Sequence, residues 1–163
     1  MTVLFSGCIL TPLAPLIGDL AGTRGLSGEA EASAFEQLPS PADREVEQVS
    51  HLVLMQLLPA LVEADLPSFG DALSAVQRIT GAWFAAQQGG IFAPGPTERL
   101  VADMAAWGAA GVGQSSWGPA AYGLVETEQA AQELAHRVRQ TMASGGVVFE
   151  GGFAAQGARV WKR

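Results

Sequence analysis

The sequence predicts an α+β domain, a helical hairpin packed on a mainly antiparallel sheet. Two observations carry this. Two strongly apolar helical stretches flank the short connection Asp65-Leu66-Pro67. From Thr97 onward the elements read α-β-β-α-β-β, an order that builds antiparallel rather than doubly wound sheets. A chain of 163 residues, 48% hydrophobic and 15% charged, is large enough to bury one sizeable core.

The elements follow in order. Val3–Leu10 is apolar with β-branched Val3 and Ile9, a buried strand. Thr11–Gly28 is rich in Pro and Gly and has little periodicity, so it reads as loop or as sequence foreign to the fold. Glu29 opens a helix to about Leu38, with Ser27 available to cap it. Ser40-Pro41-Ala42-Asp43 is a second helix start, with Ser40 as cap and Pro41 in the first helical position. That helix is expected to reach Ala64. Between Leu52 and Leu58 it is apolar almost all round, which predicts deep burial. Pro59 cannot donate to the Met55 carbonyl, so a kink is expected there.

Ser68 and Asp71 form the next capping pattern. Phe69, Leu73, Val76, Thr80, Trp83 and Phe84 then share one face, and the two helices should pair antiparallel. Gln87-Gln88-Gly89-Gly90 ends the second, and Ile91–Pro96 is loop. Thr97 is expected to cap a helix to Trp107, stopped by Gly108. Short apolar runs on either side of the glycine-rich Gly111–Gly123 segment are strands. Thr127 caps a helix to about Met142, with Leu134 and Val138 inward. Val147–Phe149 and Ala158–Trp161 are the closing strands. No internal repeat is present.

Charge and composition exclude several functions. The net charge is -7, Lys162 is the only lysine, and the arginines are scattered. No basic stripe exists to neutralise phosphates, so nucleic acid is not an expected partner. The longest apolar run, Leu52–Val62, carries Gln56 and Pro59 and falls short of a membrane span, so no membrane partner is expected either. The opening MTVLFSGC has a cysteine placed as in a lipoprotein leader but lacks the basic and long apolar regions of one. Cys8 is the single cysteine, which rules out an internal disulfide and a cysteine-based zinc site and is compatible with the cytoplasm.

The strongest candidate for ligand handling is Gly111-Val112-Gly113-Gln114-Ser115-Ser116-Trp117-Gly118-Pro119. Glycines let backbone N–H groups approach an anion, and successive N–H groups can form a concave anion site. Ser115 and Ser116 add hydroxyls, Gln114 an amide and Trp117 a flat apolar face. On the residues alone, a plain hairpin is the commoner outcome for such a turn. The segment is neither a Walker A loop nor a dinucleotide fingerprint. Ser27, in Gly25-Leu26-Ser27-Gly28, is a second candidate, though a helix cap accounts for it. His51 and His136 have no ligand-spaced partner and read as structural. Glu126, Glu128 and Glu133 read as solvated charges. No metal cluster, Ser-His-Asp ordering or carboxylate pair stands out, and no cofactor is identified.

Several segments together resemble one family: Gly25-Leu26-Ser27-Gly28-Glu29-Ala30-Glu31, His51-Leu52-Val53-Leu54-Met55, Gln88-Gly89-Gly90-Ile91-Phe92-Ala93-Pro94-Gly95 and, above all, Gly111–Pro119. In order and spacing, from about Gly25 to Val160, they resemble the C-terminal half of the β-ribofuranosylaminobenzene 5′-phosphate synthases, a branch of the GHMP kinase superfamily. The resemblance implies a GHMP-kinase C-terminal-like domain over residues 25–163, preceded by a strand and loop at 1–24 that match poorly. It implies a decarboxylating transferase of tetrahydromethanopterin biosynthesis, a cytoplasmic one-carbon pathway. The substrates implied are phosphoribosyl pyrophosphate, with Mg2+ as its companion, and a 4-aminobenzoate or 4-hydroxybenzoate-type acid. Gly111, Gly113, Gln114, Ser115, Ser116, Trp117 and Ser27 would then be substrate-binding, with Trp117 or Tyr122 against the aromatic acid.

The family's N-terminal half carries a Gly/Ser-rich phosphate loop that this chain lacks. The resemblance therefore leaves two expectations: a chain inactive on its own, or one completed by a partner chain supplying that half or by a homo-oligomer. Two alternatives stay open: an ATP-dependent GHMP-type small-molecule kinase, and a non-catalytic interaction domain.

Overall fold

The structure is a computed structural model that describes residues 6–10, 25–142 and 146–152, with 6–10 and 151–152 described by their backbone alone. Strand β1 is Ser6–Leu10 and helix α1 is Glu29–Gln37. Helix α2, Asp43–Leu52, continues through a π-helical turn at Val53–Leu57 into α3, Leu58–Glu63. Helix α4 is Leu66–Gln88 and α5 is Pro96–Ala106. Strands β2, Gly111–Gln114, and β3, Ala121–Val125, form the hairpin. Helix α6 is Glu128–Thr141, and β4 is Val148–Gly152. The expected strand at Ala158–Trp161 lies outside the described residues.

The four described strands form one sheet in the order β2-β3-β1-β4. Every pairing is antiparallel, with Cys8 opposite Gly123 on one side and Glu150 on the other, and Gly113 opposite Tyr122. Alternation along β3 separates two cores. Ala121 and Val125 join Val112, Leu100, Val101, Met104, Leu134 and Val138 in a layer made with α5 and α6. Leu124 instead joins Leu66, with Leu61, Phe69 and Leu73 packed around them. The α+β architecture is the expected one.

The helical hairpin is antiparallel, as two cross-contacts show. Trp83 Nε1 donates to Glu45 Oε2 at 2.9 Å, and Gln56 Nε2 donates to the Ser68 carbonyl at 3.3 Å. Thr127 caps α6 as expected, accepting from Ala130 N–H at 3.1 Å. Gly89 ends α4 in the left-handed region, at φ 90°, and Gly108, at φ 94°, follows α5 in the same conformation.

Several local expectations are corrected. Helix α2 starts at Asp43 with Ala42 before it and no side-chain cap, so Ser40 and Pro41 lie ahead of the helix. Pro59 follows a π-helical turn: the turn widens before it, and Leu58 N–H reaches back to the Val53 carbonyl. The Leu52–Leu58 stretch is not deeply buried. Leu54 is 62% and Met55 66% exposed, because α4 covers only one side of it.

The cap of α4 is Asp65 rather than Ser68. Its carboxylate accepts from Ser68 N–H at 3.1 Å, and hydrogen bonding by the Ser68 side chain and then by its N–H holds the carboxyl below its ordinary pKa. Gly95, at φ 97°, rather than Thr97, precedes α5. Thr97 is buried, and its hydroxyl donates to the Pro119 carbonyl at 3.3 Å. Gly28 rather than Ser27 precedes α1, with no side-chain cap.

Candidate functional site

The hairpin tip is placed by α4. Strand β2 is an edge of the described sheet, and its outward N–H groups would be left without strand partners. Helix α4 supplies side chains instead. Val112 N–H donates to Ser74 Oγ at 3.1 Å, and Gln114 N–H donates to Gln77 Oε1 at 3.0 Å. Two glycines make this approach feasible. A Cβ on Gly70 would lie 2.0 Å from the Ala110 carbonyl oxygen, and one on Gly111 would lie 2.8 Å from Gly70 Cα. Gly113 leaves room for the Tyr122 ring and the Gln77 amide in the same way. Burial pushes the Tyr122 phenol up to about 12.

The turn itself splits into an inward and an outward set. Gln114 is buried, and its amide is fully engaged: Oε1 accepts from Ala93 N–H at 2.7 Å, while Nε2 donates to Gln88 Oε1 and the Ser116 carbonyl, both at 2.8 Å. Gln88 in turn donates to the Gly90 and Ile91 carbonyls. Trp117 is 3% exposed and packs edge-to-face on Phe84, with centroids 4.8 Å apart, and on Phe35 at 5.6 Å. Its indole N–H is buried with no partner among the described residues.

Ser115 and Ser116 face solvent. Ser115 N–H bonds the Ala120 carbonyl and Gly118 N–H the Ser115 carbonyl. The intervening N–H groups of Ser116 and Trp117 have no partner among the described residues. Ser116 holds φ 48°, uncommon for a residue with a side chain. The Ser115 and Ser116 hydroxyls and these two N–H groups are donors, the kind of group that suits an anion.

Among the sequence candidates, the structure brings Gly111, Gly113, Gln114, Ser115, Ser116 and Trp117 into one hairpin. It also brings the Gly25–Gly28 segment to that hairpin, since a Cβ on Gly25 would sit 2.0 Å from the Gly118 carbonyl oxygen. Ser27 itself is exposed. Sequence reasoning missed Gln77 and Ser74, and read Gln88 only as part of a helix end. Their partners lie 26 to 38 residues away, and no local pattern marks them.

Between α4 and the connection that follows it lies a cleft of about 90 Å3, lined by Gln77, Thr80, Phe84, Phe92, Gln114 and Ser116 among others. Pockets for drug-sized ligands run to roughly 300–1,000 Å3, so this cleft is far too small for a sugar pyrophosphate. Among the described residues no three His, Cys, Asp or Glu side chains converge. The hairpin thus offers Mg2+ no ligand set of its own.

Residues 57–144 match the sequence pattern of the family described as GHMP kinases C terminal, and the chain belongs to that family. It is similar to β-ribofuranosylphenol 5′-phosphate synthases. It is 32% identical to that of Methanothermobacter thermautotrophicus over 129 residues, 79% of this chain and 37% of that protein. It is 34% identical to that of Archaeoglobus fulgidus over 105 residues, 64% of this chain and 30% of that protein. The matched stretch thus spans about a third of the length of these relatives.

Its fold is that of solved GHMP-type structures. L. major mevalonate kinase in complex with R-mevalonate superimposes with a TM-score of 0.63 at 14% identity, over 97% of this chain and 45% of that one. Homoserine kinase from Cytophaga hutchinsonii does so at 0.57 and 16%, over 92% and 42%. Among the described residues no helix is long and apolar enough to cross a membrane.

Proposed function

We propose that the chain is the C-terminal portion of a decarboxylating phosphoribosyltransferase, joining phosphoribosyl pyrophosphate to a 4-hydroxybenzoate or 4-aminobenzoate-type acid in tetrahydromethanopterin biosynthesis. The observation that carries this reading is the 32% identity, across 79% of the chain, to a protein named β-ribofuranosylphenol 5′-phosphate synthase. In this reaction the ring carbon bearing the carboxylate attacks the ribose anomeric carbon. The anomeric C–O bond breaks, and its electron pair leaves with pyrophosphate. The C–CO2 bond then breaks, CO2 departs, and its electrons restore the aromatic ring.

The outward set at the hairpin tip suits the anionic partner. The Ser115 and Ser116 hydroxyls, and the N–H groups of Ser116 and Trp117 that have no partner among the described residues, are donors, and the turn fixes the direction of the N–H groups in advance. Preorganised donors stabilise departing charge without reorganising during the step. Gln114 and Trp117 act differently from Ser115 and Ser116: they hold the turn, through the amide bonds and the aromatic contacts already described. The small cleft leaves the opposing wall of the site to a partner chain or to a second copy.

The test combines this chain with the N-terminal portion of the Methanothermobacter relative, phosphoribosyl pyrophosphate, Mg2+ and carboxyl-labelled 4-hydroxybenzoate. Labelled CO2 is the expected product. A folded mixture that releases none argues against the reading. A second reading, an ATP-dependent small-molecule kinase, is favoured by membership of the GHMP kinase family. With ATP and a small alcohol added in place of phosphoribosyl pyrophosphate and the acid, alcohol-dependent conversion of ATP to ADP, together with no CO2 from the first mixture, would support it instead.

A further inference from the structure

The cleft beside the hairpin is chemically unlike the tip. Phe84 and Phe92 give it aromatic walls, the remaining lining side chains are aliphatic or neutral polar, and none is charged. Its volume is about 90 Å3 and it is partly open to solvent. An enclosed cavity of about 150 Å3 takes a whole benzene molecule. A partly open cleft of this size suits one ring entering edge-first.

The polar groups on its wall are not equivalent. Gln114 and Gln88 spend their amides on each other and on backbone groups, and the Thr80 hydroxyl donates to the Val76 carbonyl. Gln77 uses only Oε1, accepting from Gln114 N–H. Its NH2 group and the Ser116 hydroxyl have no partner among the described residues.

We infer that this cleft is a binding site for a single aromatic ring carrying one hydroxyl or amino group, seated against Phe84 and Phe92 with that group on the Gln77 amide and the Ser116 hydroxyl. A carboxylate is excluded from the interior, because no cation lines it and an unpaired charge there would lose its hydration. For the acceptor acid the inference rests on the proposed reaction, and it fixes an orientation. In 4-hydroxybenzoate the carboxyl-bearing carbon is opposite the hydroxyl. Seating the hydroxyl inside, on Gln77 and Ser116, leaves the reacting carbon at the mouth of the cleft.

Phenol, toluene and benzoate titrated into the full chain, followed by NMR of the side-chain amides, test this. Phenol is expected to shift the Gln77, Gln88 and Gln114 amides saturably, and benzoate to do so about tenfold more weakly or less. Thr80→Met fills the cleft and should weaken phenol by about tenfold or more with the melting temperature unchanged. Ser116→Gly relieves the positive φ, so it retains the fold, and should reduce the preference for phenol over toluene several-fold, leaving the part that Gln77 supplies.

Phenol shifts confined to the exposed Leu54–Val62 ridge would overturn the inference. So would equal phenol affinity in Thr80→Met, or an intact preference in Ser116→Gly. The cleft and the reaction fail separately. Phenol in the cleft with no CO2 from the reconstituted mixture keeps the site and removes the reaction. CO2 release with an unchanged KM for 4-hydroxybenzoate in Thr80→Met removes the site.

Discussion

Ser74 Oγ, on α4, accepts a hydrogen bond at 3.1 Å from the backbone N–H of Val112, on the outer edge of β2. A side chain here does the work of a neighbouring strand. Ser74→Ala would leave a buried donor unpaired, at a cost of about 1–3 kcal/mol. The expected outcome is a melting temperature lowered by roughly 2–12 °C, with faster hydrogen exchange at the Val112 amide than elsewhere in β2.

Gly70→Ala should be worse than Ser74→Ala. The added Cβ meets backbone rather than a movable side chain, so the helix or the strand must shift. Overpacking of this kind costs typically about 1–3 kcal/mol and here also loosens both edge bonds. Chemical denaturation should rank Gly70→Ala below Ser74→Ala, and the amides of both Val112 and Gln114 should lose exchange protection.

Gln114→Glu tests the amide network. The replacement oxygen would face the Gln88 Oε1 and Ser116 carbonyl acceptors that Nε2 now serves. An unpaired carboxylate in that buried place is expected to cost at least about 2 kcal/mol at neutral pH. The penalty should shrink on acidification, as the carboxyl gains a proton and becomes a donor. Denaturation midpoints at pH 7 and pH 4 measure both parts.

How far this site was legible in the sequence follows from where the partners lie. The hairpin, the Thr127 cap, the Gly108 stop and the inward Leu134 and Val138 were readable because their signals are local: a turn, a cap or a periodic face. The role of Gln114 was not. As a glutamine in a glycine-rich turn it looks like a free donor, and only the folded chain reveals Ala93, Gln88 and Gln77 around it. The Leu52–Leu58 stretch failed for another reason. Apolar residues on every side of a helix give no period, and α4 covers one side only, leaving Leu54 and Met55 exposed. Thr97 and Ser40 had good capping chemistry, but glycine with positive φ and an extended Ala42 took those positions.

Tyr122 is the only tyrosine, so its phenolate can be followed by ultraviolet absorbance without interference. Burial raises its pKa to about 12 in the folded chain. The unfolded phenol ionises near its ordinary value of 10.0, so the unfolded state binds fewer protons above that pH. Stability should therefore fall as pH rises from about 10 to about 12. Native protein should show its phenolate midpoint at the upper end of that window and denatured protein at the lower.

Asp65 gives the opposite dependence. Its carboxylate caps α4 through Ser68 N–H and is held below the ordinary carboxylate value of 3.8. The cap's contribution is complete above that value and is lost as pH falls through the lowered one. Asp65→Asn retains an acceptor but not the charge, so its melting temperature should fall less between pH 5 and the acid limit than that of the parent chain.

Helix and strand advance by unequal steps, and the α4–β2 contact is built on that inequality. From Ser74 to Gln77 the helix rises about 4.5 Å, while from Val112 to Gln114 the strand spans about 6.8 Å. The difference is taken up by side chains of unequal length, a serine at Val112 and a glutamine at Gln114. The pair acts as a vernier, whose two scales coincide only when a short tooth meets Val112 and a long one meets Gln114. Sliding the helix by one residue would misalign both marks, so the position of the hairpin tip is gauged along α4 rather than across the sheet.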